Sequence, residues 1–274
     1  KLKILPGKED EGIVFKRVDL ADTDKNVIRA SYDNVSSARL CTTLENKFGI
    51  KVSTVEHLLA AFYIAEIDNA IIELNNEEVP IMDGSAKDFL EVFLKSETVK
   101  QNKKRKYLKI LNKLNLIDKE KKISIEPSDF FEVNFQLNYK NKIIGKQKNN
   151  VNFYTDSLED IFNSRTFCLF EDIVKIRKLG LAKGGSLKNA LVVDNNRVLN
   201  EEGLRNKKEF VNHKILDLAG DFLLSGHRIL GKIECIQGGH ELSNKFLRKL
   251  MSNKSSYEVL ELKDIFISKK LNVE

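Results

Sequence analysis

The sequence contains no tryptophan, only three prolines and three cysteines, and four histidines among its 274 residues. Cys41, Cys168 and Cys235 are odd in number, widely scattered and without a CxxC, so neither a disulfide framework nor a cysteine zinc site is indicated. No stretch approaches the roughly eighteen uninterrupted apolar residues that a membrane span requires, and the first ten residues lack the apolar core of a signal peptide. A cytoplasmic protein in a reducing compartment is therefore expected. Neither charge sign is in large excess: 46 Lys and Arg stand against 40 Asp and Glu, a formal +6 that tilts the surface toward anionic partners without naming one. With 42% of residues apolar and ample length for a core, a disordered tail is excluded.

Scarce Pro and Gly leave periodicity and charge to mark boundaries. Residues 100–109 carry six basic side chains and no acid, which reads as a solvated connector; Tyr107 is the only aromatic among them, too little for a nucleic-acid module. Residues 140–150, basic and Asn-rich, read as a surface hairpin or loop. Before the connector, strand-like residues 12–18 lead to 54–66, where Val55, Leu58, Leu59, Phe62 and Ala65 recur at helical spacing. A strand at 69–74, a tight turn at 82–85 and a helix at 86–95 follow. After the connector, strands are predicted at 107–117, 121–126 and 131–139, helices near 157–163 and 171–178, and a strand-turn-strand at 190–199. A long helix over 207–224 has Phe210, Val211, Ile215, Leu218 and Phe222 on its buried side and stops at Gly226. A strand at 229–236, a Gly-Gly-His turn and a helix at 242–250 complete the pattern, an α+β fold in two domains.

The histidines carry the chemistry. His213 and Asp217 lie one turn apart on one helix face, the spacing two ligands need to reach one ion, with Asp221 a further turn on. Such a pair is also common as a solvent-exposed contact. Glu56 and His57 diverge by about 100° around their helix and can play different roles. A two-His, one-Asp set leaves a zinc position open for water, whose proton Glu56 could take. Equally, Ser53 to Glu56 fits a capping box, with Glu56 reaching back to the Ser53 N–H. His240, after Gly238-Gly239, is either presented to a pocket or is a plain helix-entry residue. His227 reads as a cation near a helix C-terminus. Gly184-Gly185-Ser186 lacks the lysine and spacing of a P-loop and reads as a loop.

Five runs in order, Ser53-Thr54-Val55-Glu56-His57-Leu58, Val79-Pro80-Ile81-Met82-Asp83-Gly84-Ser85-Ala86, Ser164-Arg165-Thr166-Phe167, residues 197–205 (RVLNEEGLR) and His213-Lys214-Ile215-Leu216-Asp217, resemble the UDP-3-O-acyl-N-acetylglucosamine deacetylases of lipid A synthesis. The resemblance implies Zn2+ held by His57, His213 and Asp217, with Glu56 as general base and His240 as the acid that protonates the leaving amine. It implies Asp221 as orienter of His240, Lys214 and Thr166 as oxyanion stabilisers, and Phe167 lining an acyl passage. For the nucleotide end it places Lys121 against phosphate and Tyr139 against uracil, while Gln237 replaces a lysine of some members and weakens the hold on the diphosphate.

The implied fold is two similar domains, each a sheet with two helices, stacked with the helices between the sheets. Their boundaries are 1–103 and 104–274, with an acyl-passage insert at about 168–199 that includes Leu169, Phe170, Ile173, Val174, Ile176, Leu179 and Leu181. The family's first strand and its His-Ser/Thr-Gly loop are expected to precede Lys1. The partner implied is an acylated UDP-sugar, taken up by a monomer with no nucleic acid and at most peripheral membrane contact. A metal-free acyl-handling enzyme using His240, or a basic nucleic-acid-binding module, remain the alternatives.

Overall fold

The computed structural model describes residues 1–21, 24–178 and 184–262. The first part runs β1 (Leu2–Pro6), β2 (Ile13–Arg17), β3 (Val27–Arg29), β4 (Val35–Ser37), β5 (Thr43–Glu45), β6 (Lys51–Ser53), α1 (Glu56–Ile64), β7 (Ala70–Leu74) and α2 (Lys87–Lys95). Next come β8 (Arg105–Ile110), β9 (Leu114–Asp118), β10 (Lys121–Glu126), β11 (Phe131–Asn138), β12 (Lys146–Asn152), α3 (Glu159–Phe162), β13 (Phe167–Leu169), α4 (Phe170–Lys178), β14 (Leu191–Asp194) and β15 (Arg197–Val198). The chain closes with α5 (Glu209–Leu223), β16 (Arg228–Ile236), α6 (His240–Ser252) and β17 (Tyr257–Leu262).

Helices and several sheets mix, as an α+β fold requires. One sheet has the order β1-β7-β2-β3, and its register sets Ile72 beside both Ile4 and Phe15, and Phe15 beside Ile28. Phe15, Ile28 and Ile72 are fully buried, so one face of this sheet is core. The second sheet has seven strands built on β16, whose Ile233 lies between Ile125 of β10 and Val133 of β11. Two three-stranded sheets, β4-β5-β6 and β13-β14-β15, complete the set.

In the interior α1 packs on α5, and α5 packs on β11 and β12. Every residue of α1 is buried, and in α5 only Lys214 is not. A helix covered on all sides belongs to the interior, and the ordinary one-sided stripe cannot describe it. The two helices pack closely because residue 220 is glycine: a Cβ there would lie 2.1 Å from the Glu56 carbonyl oxygen. That approach sets the first turn of α1 against the Asp217–Asp221 turn of α5.

Several expectations are corrected. Residues 107–117 are not one strand: β8 ends at Ile110, with the Leu111 N–H closing its ladder on the Ser256 carbonyl, and β9 starts afresh at Leu114 to pair with β10. The stretch 140–150 is the hairpin its composition suggested, a turn leading into strand β12, Lys146–Asn152, which pairs antiparallel with β11. As an edge strand, β12 carries Gln and Asn where a central strand would alternate apolar residues. Residues 105–109 of the basic connector belong to β8, and three of the four cations of 103–106 are engaged: Lys103 and Lys106 with Asp10, Arg105 with Asp68 and Glu66. This leaves little of a polyanion patch. His227 is no helix-end cation, because burial, aided by Lys106, lowers its pKa. No helix among the described residues is long and apolar enough to cross a membrane.

Candidate functional site

The site forms where the N-terminal turn of α1 meets the middle of α5 and the start of α6. His57, His213 and Asp217 are all buried, and each offers a ligand atom within 4.8 Å of the others. Asp217 Oδ1 is 3.5 Å from His57 Nε2 and 3.3 Å from His213 Nε2. The other carboxylate oxygen, Oδ2, accepts from Lys214 Nζ at 2.7 Å. His213 Nδ1 lies 3.0 Å from the Ser164 carbonyl, which must be a donated N–H, so Nε2 carries the lone pair facing Asp217 and His57.

Burial pushes His213 down to about 3, so its imidazole is neutral. Burial opposes ionisation of Asp217, yet the neighbouring cations Lys214 and His240 outweigh it and hold the carboxyl well below its usual range. Asp217 Oδ1 and His57 Nδ1 are buried without a hydrogen-bond partner. An orphaned, ionised oxygen facing two imidazole nitrogens is a costly arrangement in a core, and a divalent cation would satisfy it. The donor set, two imidazoles and one carboxylate, suits zinc.

Around this trio stand the proton-handling groups. Glu56 Oε1 is 3.7 Å from His240 Nε2, while Oε2 accepts the Thr42 N–H at 3.0 Å. The capping box is therefore absent, since the Ser53 N–H goes to the Glu77 carbonyl. Burial raises the Glu56 pKa, opposed by the charges of His240 and His57. His240 is not in a turn; it is the first residue of α6, and its Nδ1 bonds Asp221 Oδ2 at 2.9 Å. Burial alone would lower the His240 pKa, but Asp221, Glu56 and Asp217 together raise it to about 10.

The remaining expected residues lie at graded distance. The Phe167 ring is 6.3 Å from that of His213 and 5.9 Å from that of Tyr139, with Lys214 Nζ 5.5 Å from its centroid. A row of rings thus leads from the exposed Tyr139 to the trio. Thr166 is pinned at both backbone groups, its N–H to the Gly84 carbonyl and its carbonyl to the Leu191 N–H. Gly84 has φ +86, and a Cβ there would meet the Asn189 carbonyl at 2.1 Å, so only glycine lets the 82–85 turn dock here. Lys121 is exposed at the start of β10, where its charge acts on Glu241 beside His240. Gln237 has φ 52 and donates to the Asn138 carbonyl. Phe170 and Val174 are exposed on α4, whereas the side chain of Ile176 and all of Leu179 and Leu181 fall outside the described residues.

Sequence reasoning overlooked three supports. Ser164 was visible within a motif but carried no assigned role, and it is its carbonyl that holds His213. Arg165 is buried, with Nε 2.8 Å from Glu209 Oε1 and a further bond to Glu202, which fixes the segment holding Ser164 and Thr166. Thr42 had no signal at all, since its partners are 14 and 179 positions away.

Against known proteins, the model of the UDP-3-O-acyl N-acetylglycosamine deacetylase family matches residues 1–252. A UDP-3-O-acyl-N-acetylglucosamine deacetylase of Pseudoalteromonas translucida (strain TAC 125) is 40% identical over 260 residues, covering 94% of this chain and 85% of the relative. The protein of that name from Legionella pneumophila (strain Corby) is 40% identical, with coverage of 94% and 84%. That of Mannheimia succiniciproducens is 39% identical over 266 residues, with coverage of 96% and 87%.

Proposed function

Because the chain belongs to the UDP-3-O-acyl N-acetylglycosamine deacetylase family, we propose that it hydrolyses the N-acetyl group of a UDP-3-O-(3-hydroxyacyl)-N-acetylglucosamine, releasing acetate at the committed step of lipid A synthesis. The observation that carries the reading is the buried His57, His213 and Asp217 trio beside the facing pair Glu56 and His240. We assign Zn2+ to the trio. When bound, zinc supplies Lewis acidity, polarising a carbonyl and making water acidic enough to ionise near neutral pH.

The chain's own groups handle the protons. Glu56, its Oε2 tied to Thr42, turns Oε1 toward the site and takes a proton from the attacking water. His240, held by Asp221 and protonated at neutral pH, gives its proton to the amide nitrogen as the C–N bond breaks, so acetate and a free amine leave. Lys214 and Thr166 stabilise the oxyanion. With one of three N–H donors on Asp217, the Lys214 ammonium keeps two for that task.

The Phe167 row and the exposed apolar Phe170, Val174 and Leu187 favour an acyl-binding wall within 168–199, with Tyr139 and Lys121 toward the nucleotide. Each methylene buried there would contribute about 0.8 kcal/mol. The site in this reading lies between the halves 1–103 and 104–274.

The test measures metal content and deacetylation of acylated and unacylated UDP-N-acetylglucosamine on one preparation, before and after chelation. One zinc per chain, activity lost on chelation and restored by zinc, and at least about a thousandfold preference in kcat/KM for the acylated substrate are expected. An active preparation without divalent metal would overturn the metal assignment, and equal kcat/KM values the acyl assignment.

A further inference from the structure

Thr42 sits just before β5, only 2% exposed, and all of its polar groups are engaged. Its N–H donates to Glu56 Oε2 at 3.0 Å. Its Oγ1–H donates to Asp221 Oδ1 at 2.7 Å, while Asp221 Oδ2 holds His240. Its carbonyl accepts the Val55 N–H at 3.4 Å, at the entry to α1. We infer that Thr42 is a positioning residue that fixes the proton acceptor and the proton donor relative to one another: one amino acid grips the far oxygen of Glu56 and the far oxygen of the carboxylate that orients His240.

Three features separate this from ordinary satisfaction of a core hydroxyl. The first is the acceptors, since a buried threonine most simply bonds a nearby carbonyl, whereas both acceptors here are buried carboxylates on different helices. The second is geometry: each carboxylate has one oxygen on Thr42 and the other toward the site, so neither can rotate without giving up a charge-assisted bond. The third is the backbone. Leu40, two residues before Thr42, has φ 71, and Thr54, two before Glu56, has φ 60. A bulky or β-branched residue in the left-handed region is an outlier that the surroundings must enforce, and both lie at the ends of the link between Thr42 and Val55. The β4-β5-β6 sheet thereby delivers a fixed point to a site otherwise built from helices.

The consequence for catalysis rests on the function proposed above; the consequence for His240 does not. The experiment compares Thr42→Val, which keeps shape and loses the hydroxyl, with Thr42→Ser, which keeps the hydroxyl; both keep the N–H to Glu56. Two quantities are measured, kcat and KM of the metal-loaded enzyme, and the downfield NMR proton of the His240 Nδ1–H to Asp221 bond in loaded and metal-free chains. Thr42→Val is expected to lower kcat about tenfold to a hundredfold with KM and metal content unchanged, and to shift or broaden the His240 proton. Thr42→Ser should stay within about threefold of native kcat and restore the signal. If Thr42→Val does not fold, Thr42→Ala takes its place. Native kcat together with an unmoved His240 proton in the Val variant overturns the inference, as does Thr42→Ser falling as far as Thr42→Val. Should the native chain show no deacetylase activity, the proposed function fails while the NMR comparison still decides: a signal changed in Val and kept in Ser upholds the positioning role, and one unchanged in both overturns it.

Discussion

A polar cluster lies at each end of α1, and the two are built on opposite principles. At the C-terminal end, Arg228 donates to the carbonyls of Tyr63 and Phe62, and Arg105 donates to that of Glu66. The two guanidinium groups share Asp68, Arg228 Nε on Oδ1 at 3.1 Å and Arg105 Nε on Oδ2 at 2.8 Å. Cations here add charge-assisted bonds to the carbonyls of the helix's last turn, two of which also accept the Glu66 and Ile67 N–H, and every charged group has a partner. At the N-terminal end, His57 Nδ1 and Asp217 Oδ1 have none. The closed cluster holds the structure together, and the open one leaves Asp217 Oδ1 facing two imidazoles, where the function proposed above puts a cation. Removing a member should therefore cost function at one end and stability at the other.

The largest expected effect is His213→Ala. It removes one of three donors and leaves Asp217 facing a single imidazole, so the purified variant should contain no stoichiometric metal and show only background activity. Elemental analysis alongside the deacetylase assay checks this. A variant that loses activity but keeps a full equivalent of metal would mean that His213 is not a ligand.

Glu56→Gln should be next. The amide can still accept the Thr42 N–H but cannot take a proton, so metal stays and kcat falls by about 10² to 10⁴. The pH dependence of His240 has a definite sign. Its folded pKa, about 10, is above the ordinary 6.5, so the stability it confers on the metal-free chain is complete below 6.5 and is lost as pH rises through about 10. Urea unfolding of chelated chain across that interval should show the loss in native protein and a flat response in His240→Gln. A bound cation lowers the proton affinity, so the alkaline limb of the rate should lie below 10.

How far the comparison was legible beforehand differs between its ends. Helical period exposed α1 and α5, and the His213 and Asp217 spacing pointed to one ion because both signals are local to a single helix. Whether Glu56 was base or cap could not be read locally, since Thr42, which decides it, reaches Glu56 through a tertiary bond. The closed cluster was invisible: Asp68, Arg105 and Arg228 lie on a loop and two strands, and their charges resemble any surface set until β8 and β16 pair with Arg228 opposite Tyr107. The hairpin at 140–150 was legible from composition, while the bounds of β12 were not, because its position at the sheet edge removed the apolar alternation.

Arg228→Leu tests the closed end. The side chain is 3% exposed and stacks 4.9 Å from the Tyr63 ring, so its loss takes a charge-assisted bond from the Tyr63 and Phe62 carbonyls, which keep the Glu66 and Ile67 N–H, and leaves part of Asp68 unmet. A stability loss of about 2 kcal/mol is expected, below the usual figure for breaking a buried pair because Arg105 still holds Asp68. Metal content should be unchanged and kcat of the folded protein close to native. Metal loss in a folded Arg228→Leu chain would break the division of labour between the two ends.

Arg105→Leu should have the smallest effect, about 1 kcal/mol, because its side chain is 16% exposed and Asp68 keeps Arg228. The informative quantity is the coupling. Each single variant leaves Asp68 one guanidinium, whereas the double variant leaves it none, so the second removal should cost more than the first. Asp68 is itself 36% exposed and can recover water, which limits the excess over additivity to about 0.5 to 1 kcal/mol. Urea unfolding of the metal-free native, single and double variants measures it without interference from ligand binding. Strict additivity would mean that the two arginines act separately on the helix carbonyls, with Asp68 a bystander, and the closed cluster would then be two independent caps.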